Sequence, residues 1–173
     1  MKYIEPLARL IGQLTKLPSV GEKTAARYAY AILNAPQEDA DRLYRVGEQM
    51  GLAFQLQDDL LDVYGDPKVF GKAVGGDIAS NKKTYMLINA YNLANEKQHA
   101  ELVKWIEAPT FNRDVKVARV TSLYDEIGIR QLCEEKINYY FQQAAQCLAK
   151  VNVPEERKQA LREYMDELLH RNK

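Results

Sequence analysis

Residues 43–63 read LYRVGEQMGLAFQLQDDLLDV and carry the strongest pattern in the chain. Apolar residues recur every three to four positions along this stretch, a spacing that is typical of an α-helix. Gly65, Asp66 and Pro67 follow almost directly, and residues of these types punctuate helices. The stretch therefore predicts one long helix that ends just before residue 65.

Helical periodicity continues on both sides of this stretch, and alternating strand patterns are essentially absent. Proline and glycine punctuate the chain between the periodic segments. We therefore predict an all-α fold, a helical bundle. The other predicted helices span residues 7–14, 22–33, 84–95, 98–106, 115–127, 129–151 and 154–170.

The composition limits the function classes. The chain has 173 residues, 46% of them hydrophobic and 28% charged, which is an ordinary balance for a soluble globular protein. The formal net charge is zero, so the molecule as a whole is not an electrostatic nucleic-acid binder. No run of eighteen apolar residues would span a membrane. Glu5 and Pro6 interrupt the stretch that a signal peptide would need to keep apolar, so a cytoplasmic location is expected.

Three aspartates lie close together near the end of the long predicted helix. Asp58 and Asp62 are four residues apart and Asp59 and Asp62 three apart, so helical geometry places the carboxylates within about one turn. Like charges at this spacing destabilise a bare helix, and a divalent cation would offset the repulsion. Mg²⁺ prefers carboxylate oxygens and completes its shell with water and phosphate. An acidic face exposed to solvent is the alternative interpretation.

The next segment, residues 69–83, reads VFGKAVGGDIASNKK and has the composition of a phosphate-binding loop. Its glycines allow close backbone approach, and its lysines supply compact positive charge for phosphate oxygens. Asp77 adds a carboxylate, and residues 81–84 open the next predicted helix, whose N-terminus favours an anion. Carboxylates, lysines and a helix N-terminus together predict a site for a metal-bridged diphosphate.

Residues 51–88, GLAFQLQDDLLDVYGDPKVFGKAVGGDIASNKKTYMLI, closely resemble the second aspartate-rich region of trans-isoprenyl diphosphate synthases. This is the polyprenyl synthetase family, which includes farnesyl and geranylgeranyl diphosphate synthases. The stretch is similar to the FQxxDDxxD signature of the family and to the FGK–GxD–NK–T loop after it. Residues 123–137, LYDEIGIRQLCEEKI, are similar to the closing helices. The resemblance runs from about residue 43 to the end and implies part of the isoprenoid synthase fold.

The resemblance also implies roles for individual side chains in joining an allylic diphosphate to isopentenyl diphosphate. Asp58 and Asp62 would face Mg²⁺ ions that hold the allylic diphosphate, with Asp59 supporting them. Lys72 and Lys82 would contact this diphosphate. Phe54 and Gln55 would lie under the allylic carbon. The family is typically homodimeric, so self-association is also expected.

The catalytic cavity of the family needs a second aspartate-rich helix opposite the first. This sequence contains no second DDxxD, and the acidic run EDAD at residues 38–41 lacks the required spacing and apolar flanks. Residues 43–173 therefore resemble the C-terminal half of a synthase. Condensation would need the half that these residues do not contain.

Residues 3–34, YIEPLARLIGQLTKLPSVGEKTAARYAYAILN, resemble the start of the bacterial recombination-mediator protein RecR, where a helix–hairpin–helix binds DNA. Gly21 would permit a tight turn, and Lys23 would add attraction for a DNA phosphate. An ordinary helical hairpin is the alternative. The sequence thus predicts two segments, a RecR-like one at residues 1–42 and a synthase-like one at residues 43–173. The function hypotheses are a prenyltransferase fragment, a DNA-binding fragment and a nonfunctional chimera.

Overall fold

The structure is a computed structural model that describes residues 4–17, 20–34, 36–66 and 74–170. Over these ranges the chain is all-α, as predicted, with no strand, and none of its helices has the length and apolar character of a membrane span. In chain order the helices are α1 (Glu5–Leu14), α2 (Glu22–Leu33), α3 (Gln37–Tyr64), α4 (Gly76–Ala79), α5 (Tyr85–Leu93), α6 (Glu96–Glu107), α7 (Arg113–Ile127), α8 (Ile129–Ala149) and α9 (Glu155–Leu169).

Helix α3 is the long helix that residues 43–63 predict, and it packs lengthwise against α8. The apolar residues in its second half join a core shared with α4 to α8. Its fully buried members include Ala53 of α3, Met86 of α5, Leu102 of α6, Leu123 of α7 and Cys133 of α8. The half of α3 that carries the three aspartates is therefore fixed against a well-packed set of helices.

A second apolar cluster holds the other end of the bundle. Val46 and Met50 of α3 pack with Leu148 of α8 and Met165 of α9. Because α3 takes part in both clusters, it connects the two ends of the bundle.

The acidic run at residues 38–41 has a structural role. The buried Asp39 carboxylate accepts hydrogen bonds from the Arg42 guanidinium at 2.8 Å and from the backbone N–H of Asn152 at 3.1 Å. Arg42 also donates to the carbonyl oxygen of Lys150 at 2.9 Å. These contacts tie the first turns of α3 to the connection between α8 and α9.

Helices α1 and α2 form a hairpin with its own small core. Leu7 and Ile11 of α1 pack against Ala25, Ala26 and Ala29 of α2. Helix α3 begins at Gln37 and runs continuously past residue 42. The division of the chain at that residue stays a prediction.

Helix α6 begins two residues earlier than predicted because of a capping box at Asn95. Its side chain accepts from the backbone N–H of Gln98, and the Gln98 side chain accepts from the backbone N–H of Asn95. This reciprocal pair satisfies two N–H groups that a helix start leaves without partners. The signal is present in the sequence as Asn-x-x-Gln.

Gly128 separates α7 from α8 with a left-handed backbone, φ +83°. Replacing it with alanine is expected to lower the free energy of unfolding by about 1–2 kcal/mol, because a Cβ strains this conformation. No neighbouring atom lies within 4 Å of the new Cβ, so backbone strain alone would act. Gly47→Ala is the matched control: it fills open space on α3 and should raise that free energy by about 0.5–1 kcal/mol. Urea denaturation measures the free energy of unfolding of both variants. An unchanged free energy in Gly128→Ala would contradict the predicted backbone strain.

Candidate diphosphate site

The three aspartates of α3 lie in different surroundings. Asp58 and Asp62 are half-buried, whereas Asp59 is only 6% exposed. The Oδ1 atom of Asp59 accepts a hydrogen bond from Gln55 Nε2 at 3.1 Å and one from Lys82 Nζ at 2.9 Å. Asp59 is therefore held inside the protein by its own partners, and the two half-buried aspartates border it on the same helix.

Lys82 joins two acidic side chains from different helices. Its Nζ lies 2.9 Å from Asp59 Oδ1 on α3 and 2.8 Å from Asp77 Oδ2 on α4. The hydrogen bonds to Asp77 and Asp59 raise the pKa of Lys82 well above its usual range, so the side chain stays an ammonium. It remains 48% exposed and presents a permanent positive charge at the edge of the carboxylate cluster.

Helix α4 is anchored on Asp62. The backbone N–H of Asp77 donates to Asp62 Oδ2 at 2.8 Å, and the N–H of Gly75 donates to the Asp62 carbonyl oxygen. Burial raises the pKa of the Asp77 carboxyl, while its hydrogen bond to Lys82 acts in the opposite direction. Asp62 thus holds the segment that carries both Asp77 and Lys82.

The segment at residues 74–77 also rests on α7. Gly75 has φ +81°, and a Cβ at this position would lie only 2.5 Å from a methyl carbon of Val117. Arg113 donates to the carbonyl oxygen of Val74 at 2.8 Å. The close backbone approach that the glycines predict is therefore present at Gly75, with α7 as its partner.

The structure brings together most of the predicted diphosphate-site residues that it describes. Phe54 is half-buried one turn before Asp58, and Gln55 contacts Asp59 as described above. Lys72 lies outside the described residues. The role of each of these side chains in binding substrate stays a prediction.

The two residues predicted to bind DNA lie apart from this cluster, at the start of α2. Gly21 is its N-cap with φ −76°, a conformation open to any residue, so the backbone does not require glycine there. Lys23 is exposed in the first turn. DNA binding stays a prediction.

The carboxylates fit Mg²⁺ that arrives together with a diphosphate. In the described ranges, no three His, Cys, Asp or Glu side chains form a group that could hold a metal ion alone. Mg²⁺ commonly uses one or two carboxylates and completes its shell with water and phosphate oxygens. Gly76 lies close to Asp62: a Cβ at residue 76 would be only 3.2 Å from Asp62 Oδ1. Because glycine has no Cβ, the space beside this carboxylate oxygen stays open. Of the three aspartates on α3, Asp58 and Asp62 are more exposed than the buried Asp59.

Two residues that contact each other behind Lys82 are not singled out by the sequence. Asn81 has φ +53°, and Lys116 is buried on α7. Asparagine is enriched among residues with positive φ, and Lys116 shares its helix face with Val120 and Leu123. These signals are weak in a sequence, because most lysines in an amphipathic helix lie on its exposed side.

Comparison with known proteins identifies the family of the chain. Residues 20–127 match the polyprenyl synthetase family. This chain belongs to that family. The match includes residues 20–42 and residues 43–127 of the predicted synthase-like part, and the resemblance of residues 1–42 to RecR stays a prediction.

The chain is also similar in sequence to individual curated members of the family. The chain is 32% identical over 152 residues to a geranylfarnesyl diphosphate synthase of Aeropyrum pernix, covering 87% of this chain and 46% of that protein. It is 36% identical over 108 residues to a geranylgeranyl diphosphate synthase of Mycobacterium tuberculosis, covering 61% and 31%. The chain thus spans about half the length, or less, of these relatives.

Solved structures confirm the isoprenyl synthase fold. A geranylgeranyl pyrophosphate synthase superposes with a TM-score of 0.74 and 28% identity, covering 98% of this chain and 52% of that one. A geranylgeranyl pyrophosphate synthase from Corynebacterium glutamicum, complexed with isoprenyl diphosphate and magnesium, superposes with a TM-score of 0.72 and 25% identity. That match covers 87% of this chain and 42% of that one.

Proposed function

We propose that this chain supplies one wall of a prenyl-transferring site and binds an allylic diphosphate together with Mg²⁺. The observation that carries the proposal is the Lys82 ammonium held between Asp59 and Asp77, 2.9 and 2.8 Å from their oxygens. A fixed, half-exposed cation beside half-buried carboxylates suits a ligand that brings both phosphate oxygens and metal ions.

In this proposal the lysines bind the diphosphate oxygens and two of the aspartates bind Mg²⁺. Lys82 would donate to a diphosphate oxygen, and Lys72 is proposed to do the same. Asp58 and Asp62 would hold Mg²⁺, with Asp59 keeping Lys82 in place. Mg²⁺ bound there would supply positive charge that stabilises the diphosphate as it leaves the allylic carbon.

Condensation with isopentenyl diphosphate would need more than this wall. Electrostatic stabilisation of a transition state depends on charges and donors placed where charge develops. The family resemblance implies a second aspartate-rich helix opposite the first. Residues 1–173 contain one aspartate-rich motif of this kind. We therefore propose that they bind the magnesium diphosphate without joining two prenyl units on their own.

Isothermal calorimetry tests the binding step. Inorganic diphosphate, and separately geranyl diphosphate, would be titrated into the protein with and without MgCl₂. We expect saturable heat that depends on Mg²⁺, and an affinity lower by at least about tenfold in Asp58→Ala. Asp41→Ala is the matched control, because Asp41 lies on the same helix and contacts Gln37 instead.

Equal heats from wild-type protein and Asp58→Ala would dismiss the site. The condensation step is checked separately, by incubating the pure protein with geranyl diphosphate, labelled isopentenyl diphosphate and Mg²⁺. Formation of a labelled prenyl product would show that residues 1–173 need no second wall.

A further inference from the structure

The side chain of Lys116 is only 1% exposed, on the face of α7 that points into the core. Its neighbours in this part of the core include Ile78, Leu102 and Tyr124. Burial lowers the pKa of the Lys116 ammonium below its usual value, because the charged form loses its water. A buried lysine therefore costs folding free energy, and its presence calls for an explanation beyond packing.

Among the described residues, Lys116 has one hydrogen-bond acceptor, the side-chain oxygen of Asn81. Nζ lies 2.7 Å from Asn81 Oδ1 and 4.1 Å from the centre of the Phe111 ring. The amide nitrogen of Asn81 donates in turn to the carbonyl oxygen of Ile106 at 3.0 Å. Both ends of the Asn81 amide are thus fixed, one by α7 and one by the end of α6.

Asn81 immediately precedes Lys82, so its backbone sets the direction in which Lys82 leaves the chain. Its φ of +53° is uncommon for a residue with a Cβ. The backbone N–H of Lys82 then closes the turn by donating to the carbonyl oxygen of Asp77 at 2.9 Å. The Lys116 ammonium and the Ile106 carbonyl oxygen hold the Asn81 side chain in place. Loss of this support would let Asn81 relax towards ordinary backbone angles and would move Lys82 relative to Asp59 and Asp77.

We infer that Lys116 is a positioning residue that acts through Asn81 to hold Lys82 at the diphosphate site. The inference rests on the proposed function, since it concerns the same diphosphate. Lys116 would thus contribute to the diphosphate site without touching the diphosphate.

The test is Lys116→Met, which keeps an unbranched side chain, shorter by one atom, and removes the charge and the donors. The free energy of unfolding should be unchanged or higher, because methionine suits an apolar core better than an ammonium does. The dissociation constant for magnesium plus inorganic diphosphate should nevertheless rise about three- to tenfold. Lys104→Met, which removes an exposed lysine from α6, is the matched control and should bind as the wild-type protein does.

Two further proteins separate positioning from a general effect of charge. Lys82→Met removes the side chain that Lys116 is inferred to position, so adding Lys116→Met to it should weaken binding no further. Asn81→Gly tolerates the positive φ but has no amide to fix residue 81 between α6 and α7. Glycine also leaves the backbone there free to adopt other angles, so binding should weaken as it does in Lys116→Met. It also keeps the question answerable if Lys116→Met fails to fold.

The possible outcomes are distinguishable. If wild-type protein does not bind magnesium diphosphate, the proposed function fails and this inference fails with it. If wild-type protein binds but Lys116→Met and Asn81→Gly bind equally well, only this inference is overturned. The inference would also be overturned if Lys116→Met weakened diphosphate binding equally in the wild-type protein and in Lys82→Met.

Discussion

Asp62→Ala is expected to weaken the binding of magnesium diphosphate by about a hundredfold, more than Asp58→Ala does. The reason is that Asp62 has two roles. Its carboxylate is one of the two proposed to hold Mg²⁺, and its Oδ2 accepts the backbone N–H of Asp77 at 2.8 Å. Alanine removes both the proposed metal ligand and the side-chain anchor of α4, which carries Asp77 and leads to Lys82.

Asp62→Asn separates the two roles. Its side-chain oxygen can still accept from the N–H of Asp77, but the negative charge that Mg²⁺ requires is gone. We expect a loss of about tenfold, between the wild-type protein and Asp62→Ala. Calorimetry with Mg²⁺ and inorganic diphosphate measures all three proteins, and urea denaturation checks that each is folded. Equal losses in the alanine and asparagine proteins would show that the anchor of α4 does not contribute.

The helices were largely predictable because their signals are local. The apolar spacing of residues 43–63 places α3, and the proline and glycine punctuation separates most of the other helices. The same periodicity places Asp58, Asp59 and Asp62 near one another on a helix. The start of α6 was less well predicted, because the capping box of Asn95 depends on two side chains and not on apolar spacing.

The different surroundings of the three aspartates could not be predicted from residues 58–62 alone. Which of them is buried depends on where α4 and α8 pack against α3, and both helices lie outside residues 58–62. The contact between Lys82 and Asp59 joins residues 23 positions apart. Helical spacing carries no information about such a contact; the residue types of the two segments and the family resemblance predicted one shared site, but not which lysine contacts which aspartate.

The support from α7 was also beyond local sequence reasoning. Arg113 and Lys116 look like ordinary charged residues of an amphipathic helix. Their roles follow from the tertiary placement of residues 74–81 against α7. The family match assigns no role to either side chain.

Gly75→Ala is expected to lower the free energy of unfolding by about 2–4 kcal/mol, the largest stability effect of a single methyl group at this site. Two costs add. The backbone at Gly75 has φ +81°, which strains a residue with a Cβ, and the new Cβ would lie 2.5 and 2.7 Å from the two methyl carbons of Val117. Because Gly75 precedes α4, diphosphate binding should weaken as well.

The two costs can be measured separately with Val117→Ala, which removes the clashing methyl groups and leaves the backbone strain. By itself Val117→Ala should be mildly destabilising, since it removes packed methyl groups. Combined with Gly75→Ala, it should restore the free energy lost to the clash. The double variant would then be more stable than the sum of the single changes predicts, by about 1–3 kcal/mol. Urea denaturation of the four proteins gives this coupling. Strict additivity would mean that Gly75 and Val117 are not in close contact, and that Val117 does not support this segment of the candidate diphosphate site.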